Sequence, residues 1–161
     1  MKKLFLFMCA FCLLFAACDK RQEIAYNDSI VESQQVVVDE YIRFNLQLSH
    51  AIPTLSFDSI RIQADRSMSV IEQEIAKIDT LQTPENGEKF RESAITLFQS
   101  IKELVNAGGE FVVLTEKSPQ DSVNMLIEKY NEKSEDYKFK NSEIQKVQQN
   151  YAQEKKIQIL D

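Results

Sequence analysis

Between Tyr26 and His50 the apolar side chains recur at Ile30, Val37, Tyr41, Phe44 and Leu48, in steps of 7, 4, 3 and 4. That spacing puts them on one face of a helix with a period near 3.6, while Glu32, Asp39, Glu40 and Arg43 fall on the solvated side. A second and more regular run follows in Phe57, Ile60, Ala64, Met68, Ile71, Ile75 and Ile78. Ser56 is its expected N-cap, and Asp58 in the first turn suits the positive end of the helix dipole. Phe90, Ala94, Leu97, Ile101 and Leu104 predict a third helix, which reaches Gly108 and Gly109. The fourth opens at Ser118-Pro119-Gln120-Asp121, with Ser118 as cap, Pro119 at the first helical position and Asp121 where a capping-box acid sits. Its stripe is Val123, Leu126, Tyr130, Tyr137, Ile144, Val147 and Tyr151, predicting helix to about Gln158.

The breaks between these runs are set by proline, which has no backbone N–H to donate and is expelled from helix interiors. Pro53, Pro84 and Pro119 divide the chain into four helical segments. Glu110 to Thr115 has strand-like chemistry, but a lone strand would leave its ladder groups unpaired, so continued helix or an extended connector is expected. Each glycine of the pair at 108 and 109 costs about 1 kcal/mol relative to alanine inside a helix, and a close approach of helices or a bend would be its structural reason. Four amphipathic helices joined by short turns pack most simply as an all-α, up-down-up-down four-helix bundle. The fourth helix is the elongated one, so its tail is expected to overhang or bend. Glu143 to Lys156 carries only a thin apolar stripe, and a frayed, solvated end is favoured there over a docking surface.

A different pattern occupies the first eighteen residues. Lys2 and Lys3 precede an apolar block from Leu4 to Phe15, then Ala16, Ala17 and Cys18. A dozen apolar residues fall short of the roughly 20 needed to span a bilayer and match the core of an export signal. Phe15-Ala16-Ala17-Cys18 resembles the lipobox of bacterial lipoproteins, with Phe15 in place of the commoner leucine. The resemblance implies a diacylglycerol on the Cys18 sulfur, cleavage just before that residue, and acylation of the new amino terminus. Residues 1–17 are then the signal peptide, 18–23 the lipidated cysteine with a short tether, and 24–161 the bundle domain. As an extended chain, Asp19 to Glu23 would reach at most about 20 Å.

Composition adds mainly exclusions. The three cysteines, Cys9, Cys12 and Cys18, all lie in or at the end of the export segment, so the mature body has no disulfide framework and no catalytic thiol. Loss of Lys2 and Lys3 with the signal leaves 17 of the 19 Lys and Arg against 25 Asp and Glu, a formal charge of −8, which argues against nucleic acid. A dimetal bundle needs two Glu-x-x-His pairs, and this chain has one histidine, His50, best read as a helix-end residue. Met68 and Met125 are the only mature candidates for a haem axial ligand, and Met68 lies on a core stripe. Asp39-Glu40, Glu72 with Glu74, and Glu132 with Glu135-Asp136 lack the spacing of a calcium loop and read as solvated faces. No nucleophile elbow or phosphate-binding loop occurs, and the five tyrosines of the body read as packing residues. No catalytic residue, metal ligand or cofactor is therefore expected, and the chain is not expected to be an enzyme.

The opening of the body, Tyr26-Asn27-Asp28-Ser29-Ile30-Val31, is similar to small uncharacterised helical lipoproteins of Bacteroidota and spirochaetes. That likeness implies a location and no activity. The expectation is a non-enzymatic, lipid-anchored bundle of the cell envelope that presents helix faces to an envelope or surface protein. The outer membrane or cell surface is expected rather than the inner membrane, with the leaflet open. The alternative is a small-ligand or metal carrier using the bundle interior, which an apolar cavity beside Gly108 and Gly109 would favour.

Overall fold

The structure, a computed structural model, describes the backbone of residues 2–54 and 58–158, and the side chains of residues 20–53 and 59–158. Four helices follow one another: α1 (Lys2–Thr54), α2 (Asp58–Asp79), α3 (Glu88–Gly109) and α4 (Gln120–Lys155), with a one-turn 3-10 helix over Glu110–Val113. There is no strand among the described residues. Each break lies where a proline stands: Pro53 in the last turn of α1, Pro84 in the turn between α2 and α3, and Pro119 at the start of α4.

Contacts between consecutive helices run in opposite directions along the two partners. The Gln47 amide donates to Ser59 Oγ at 2.8 Å and Gln63 to Glu40 at 2.8 Å, which sets α1 against α2. Arg91 of α3 donates to the Asp79 carbonyl at 3.1 Å and the Leu81 carbonyl at 3.3 Å, binding carbonyls left open at the end of α2. Lys129–Glu110 at 2.6 Å and Lys133–Glu103 at 2.7 Å join α4 to the end of α3. Lys155–Glu23 at 2.9 Å closes α4 on α1. The result is the up-down-up-down all-α bundle. We call the end where α1 enters it, around Glu23, the near end, and the end holding the α3–α4 connection the far end.

Burial follows the periodic stripes. Ile30, Val37, Phe44, Ile60, Ile71, Ile78, Phe90, Leu97, Ile101 and Leu104 have no exposed surface. Each such side chain contributes about 1.5–3 kcal/mol relative to exposure, and these come from α1, α2 and α3, while α4 closes the core with Leu126, Ile144, Tyr151 and Ala152.

Four local expectations are revised. The helix of α1 runs through Asp19 to Glu23, so that segment advances about 1.5 Å per residue rather than the 3.3–3.6 Å of an extended tether. Helix α4 does not overhang, because α1 is long enough to run beside it to Glu23. Nor is its tail a frayed end: Ile144, Tyr151 and Ala152 are buried, and the left-handed Lys156 closes the helix with Ile157 N–H donating to the Ala152 carbonyl at 2.8 Å. At the other end of α4, Pro119 takes the cap position itself, while the Ser118 hydroxyl accepts from Thr115 N–H at 2.8 Å. The expected cap of α2, Ser56, and its first apolar residue, Phe57, lie outside the described residues.

Beyond Gly109 the chain makes one 3-10 turn and becomes extended at Leu114, so both readings of Glu110 to Thr115 are realised in sequence. The glycine pair marks a close approach. A β-carbon on Gly108 would stand 2.6 Å from two ring carbons of Phe44 and 3.1 Å from Tyr130, and one on Gly109 would stand 3.2 Å from Ala64 Cβ. Backbone and ring fill the space beside Gly108, while on the Gly109 side an open groove of about 250 Å³ lies between α2 and the 3-10 turn, lined by Ala64, Met68, Val112 and Val113 among polar side chains.

Candidate functional site

The residues singled out in the sequence do not converge. Cys18 belongs to the α1 backbone, but its side chain is outside the described ones. His50 is exposed near the end of α1, Met68 packs half-buried against the core, and Met125 is exposed on α4. No group of three or more His, Cys, Asp or Glu side chains among the described residues is arranged to hold a metal ion. No helix among them is long and apolar enough to cross a membrane.

One acid departs from its expected place. Glu40 is only 4% exposed and lies between α1 and α2 rather than on a solvated face. Its carboxylate accepts from Gln63 Nε2 at 2.8 Å, Ser67 Oγ at 3.2 Å and the Arg43 guanidinium, with Arg66 Nε at 3.7 Å. A buried charge costs several kcal/mol unless its lone pairs are met, and this network meets them. It is a fixed cross-brace and offers no open coordination position.

The five tyrosines lie inside or along the packing. Tyr26, Phe90 and Tyr151 form a ring cluster at the near end, with centroids 5.6–6.4 Å apart. Tyr41 and Tyr137 meet at 5.1 Å across the α1–α4 seam, and Tyr130 donates to Asn45 Oδ1 there. Burial pushes the Tyr130 phenol well above its ordinary range and Tyr151 up to about 12, the latter helped by the Glu23 carboxylate. Neutral phenols at any physiological pH serve as packing and hydrogen-bonding groups, not as general bases.

What remains for a partner or ligand is the outside of the bundle, where two kinds of surface stand out besides the groove at Gly109. The first is the back of α1. Of eleven large exposed hydrophobic side chains in the described structure, six lie on this helix: Ile24, Val31, Val36, Ile42, Leu46 and Ile52. Most of them fall on the side away from the buried stripe, beside a groove of about 270 Å³ lined by Val31, Val38 and Tyr137 together with uncharged Gln and Asn side chains. The second kind is the α3–α4 seam, which holds two grooves. One, of about 680 Å³, lies towards the near end and includes Lys89, Phe139, Lys140 and Lys146. The other, of about 560 Å³, lies towards the far end and includes Lys102, Lys129 and Lys133.

The back of α1 was not singled out in the sequence, and the near groove falls partly in Glu143 to Lys156, where a docking surface was the less favoured reading, although each surface left a trace. Ile24, Val31, Ile42 and Leu46 lie off the first stripe, and Phe139 lies off the fourth, so each is an apolar residue the core does not use. Comparison with protein-family models, curated proteins and solved structures returns no match for this chain.

Proposed function

We propose that this chain is a lipid-anchored lipoprotein of the bacterial cell envelope, non-enzymatic, that presents its helical bundle to an envelope or surface protein. The observation carrying the anchor is Phe15-Ala16-Ala17-Cys18 directly after an apolar block headed by Lys2 and Lys3. Two or more acyl chains on one cysteine give stable anchoring, since each buried CH₂ contributes about 0.8 kcal/mol and a single chain is marginal. Cleavage before Cys18 leaves intact every described contact of the bundle, the first of which in chain order is made by Glu23. The presenting surface is the back of α1, where Ile42 is 50% and Leu46 57% exposed. Ile24, Val31, Ile42 and Leu46 share that side of α1 with Asp28, Gln35 and Asp39, and a partner laid on it would cover apolar surface that the core does not use.

The test is fractionation of cells making the wild-type chain or Cys18→Ala. Release of the variant from the membrane fraction is expected, and unchanged fractionation overturns the anchor. Protease treatment of intact cells then separates a surface-facing bundle, which is digested, from a periplasmic one, which is protected until lysis.

A further inference from the structure

The two grooves of the α3–α4 seam are built from similar side chains but differ in whether their lysines are ion-paired. In the far groove every lysine has a carboxylate partner: Lys102 meets Glu72 at 2.5 Å, Lys129 meets Glu110 at 2.6 Å, and Lys133 meets Glu103 at 2.7 Å. In the near groove Lys140 reaches Glu143 at 3.4 Å, whereas Lys89 and Lys146 take part in none of the ion pairs of the described residues. Glu92 and Glu143 also line this groove, Glu143 paired with Lys140, so two of its three ammonium groups stand without an ion-pair partner in a chain that is acidic overall. Between them the wall is not simply polar. Val147 is half-buried in it, Asn150 offers an amide, and Phe139 stands at its edge 57% exposed, with Lys140 Nζ 5.1 Å from the ring centroid. The volume, about 680 Å³, lies within the ordinary span of small-molecule sites.

We propose that the near groove between α3 and α4 binds a small amphipathic phosphate, its anionic group held by Lys89 and Lys146 and its apolar portion laid against Phe139 and Val147. Ammonium groups hold phosphate as point charges without demanding one geometry, which suits two lysines on facing helices. The ring supplies flat apolar contact that an inorganic anion would not use. This inference does not rest on acylation of Cys18, and the Cys18→Ala chain is expected to bind alike.

The experiment is calorimetric titration of the full chain in detergent with phenyl phosphate, beside inorganic phosphate as the probe lacking an apolar part. Saturable binding of phenyl phosphate, tighter than that of inorganic phosphate, is expected. Lys89→Gln with Lys146→Gln should weaken it at least tenfold, and Lys102→Gln with Lys133→Gln should leave it unchanged. Circular dichroism checks that both variants keep the helical fold. Absence of saturable binding overturns the proposal. So does equal weakening in the two double variants, which would report overall charge rather than a site. Vesicles added to the bound complex then separate two sources of the same chemistry. Displacement of phenyl phosphate by phosphatidylglycerol but not phosphatidylcholine vesicles assigns the groove to a lipid headgroup, and retention of the probe with both assigns it to a free phosphate ester.

Discussion

The two ends of the bundle solve the same packing problem differently. At the far end, α1 and α4 close on α3 at a residue with no side chain, so that the Phe44 ring and Tyr130 lie directly on the Gly108 backbone. The polar tip of Tyr130 then reaches Asn45 Oδ1, leaving the hydroxyl satisfied. At the near end the helices stand apart around the rings of Tyr26, Phe90 and Tyr151. Tyr26 donates to the Gly87 carbonyl at 2.9 Å, but the Tyr151 hydroxyl and Asn27 Oδ1 are buried without a hydrogen-bond partner in the described structure. The far end is tight and satisfied, the near end ring-filled and under-satisfied. Volume changes should therefore hurt most at the far end, and loss of a hydroxyl should hurt least at the near end.

The largest expected effect follows from Gly108→Val. A β-carbon 2.6 Å from two Phe44 ring carbons is far inside contact distance, and those atoms belong to a fully buried ring. Overpacking of this kind costs about 1–3 kcal/mol or more, and a fall of about 3 kcal/mol is expected from the urea midpoint of the purified chain. Phe44→Leu in the same chain should recover part of the loss, because the two changes share one space. A Gly108→Val chain as stable as wild type would show that the far end is not built on the glycine.

The helices behind this contrast were legible in the sequence but the contrast itself was not, and the gaps have physical causes. The stripe Phe57, Ile60, Ala64, Met68, Ile71, Ile75, Ile78 reads as helix because burial on one side enforces the period, and α2 follows from its described part. Gly108-Gly109 left a close approach, a bend or a cavity open, since a glycine inside a helix has a cost that each could explain, and the Phe44 ring on Gly108 selects the first there. Glu40 was misread because charge alone does not say which flank of a helix meets a neighbour. Its acceptors are filled by Gln63 and Ser67, more than twenty residues away in sequence. The α4 tail was misread for a related reason. Tyr151 has few apolar neighbours in its own helix and is covered by Tyr26 and Phe90, which only the folded topology brings to it. The α3–α4 grooves left only Phe139, off the fourth stripe, as a trace, because ion pairing across the two helices depends on register, which a single sequence does not display.

A smaller effect separates the hydroxyls. Tyr130→Phe keeps the ring against Gly108 and Phe111 but removes the donor to Asn45. A partly buried hydrogen bond contributes about 0.5–1.5 kcal/mol net, so a loss near 1 kcal/mol in urea unfolding is expected. No loss would mean that Asn45 finds another donor, and the contrast between the ends would then rest on packing alone.

The smallest effect near neutral pH is expected for Tyr151→Phe. Its hydroxyl is buried without a partner, so removing it forfeits no protein hydrogen bond and relieves the desolvation of an unsatisfied group. The urea midpoint should be unchanged or slightly raised. Alkaline pH brings the difference out. The phenol ionises near 10 in the unfolded chain and at about 12 in the fold, so the folded state holds its proton more tightly. The resulting stability is fully present below pH 10 and is lost as pH rises through 12. Tyr26, Tyr130 and Tyr137 are raised in the same direction, so wild type should lose stability throughout that interval and Tyr151→Phe should lose less. Parallel declines for the two proteins would mean that the Tyr151 hydroxyl is hydrated in solution, and the near end would then be as well satisfied as the far one.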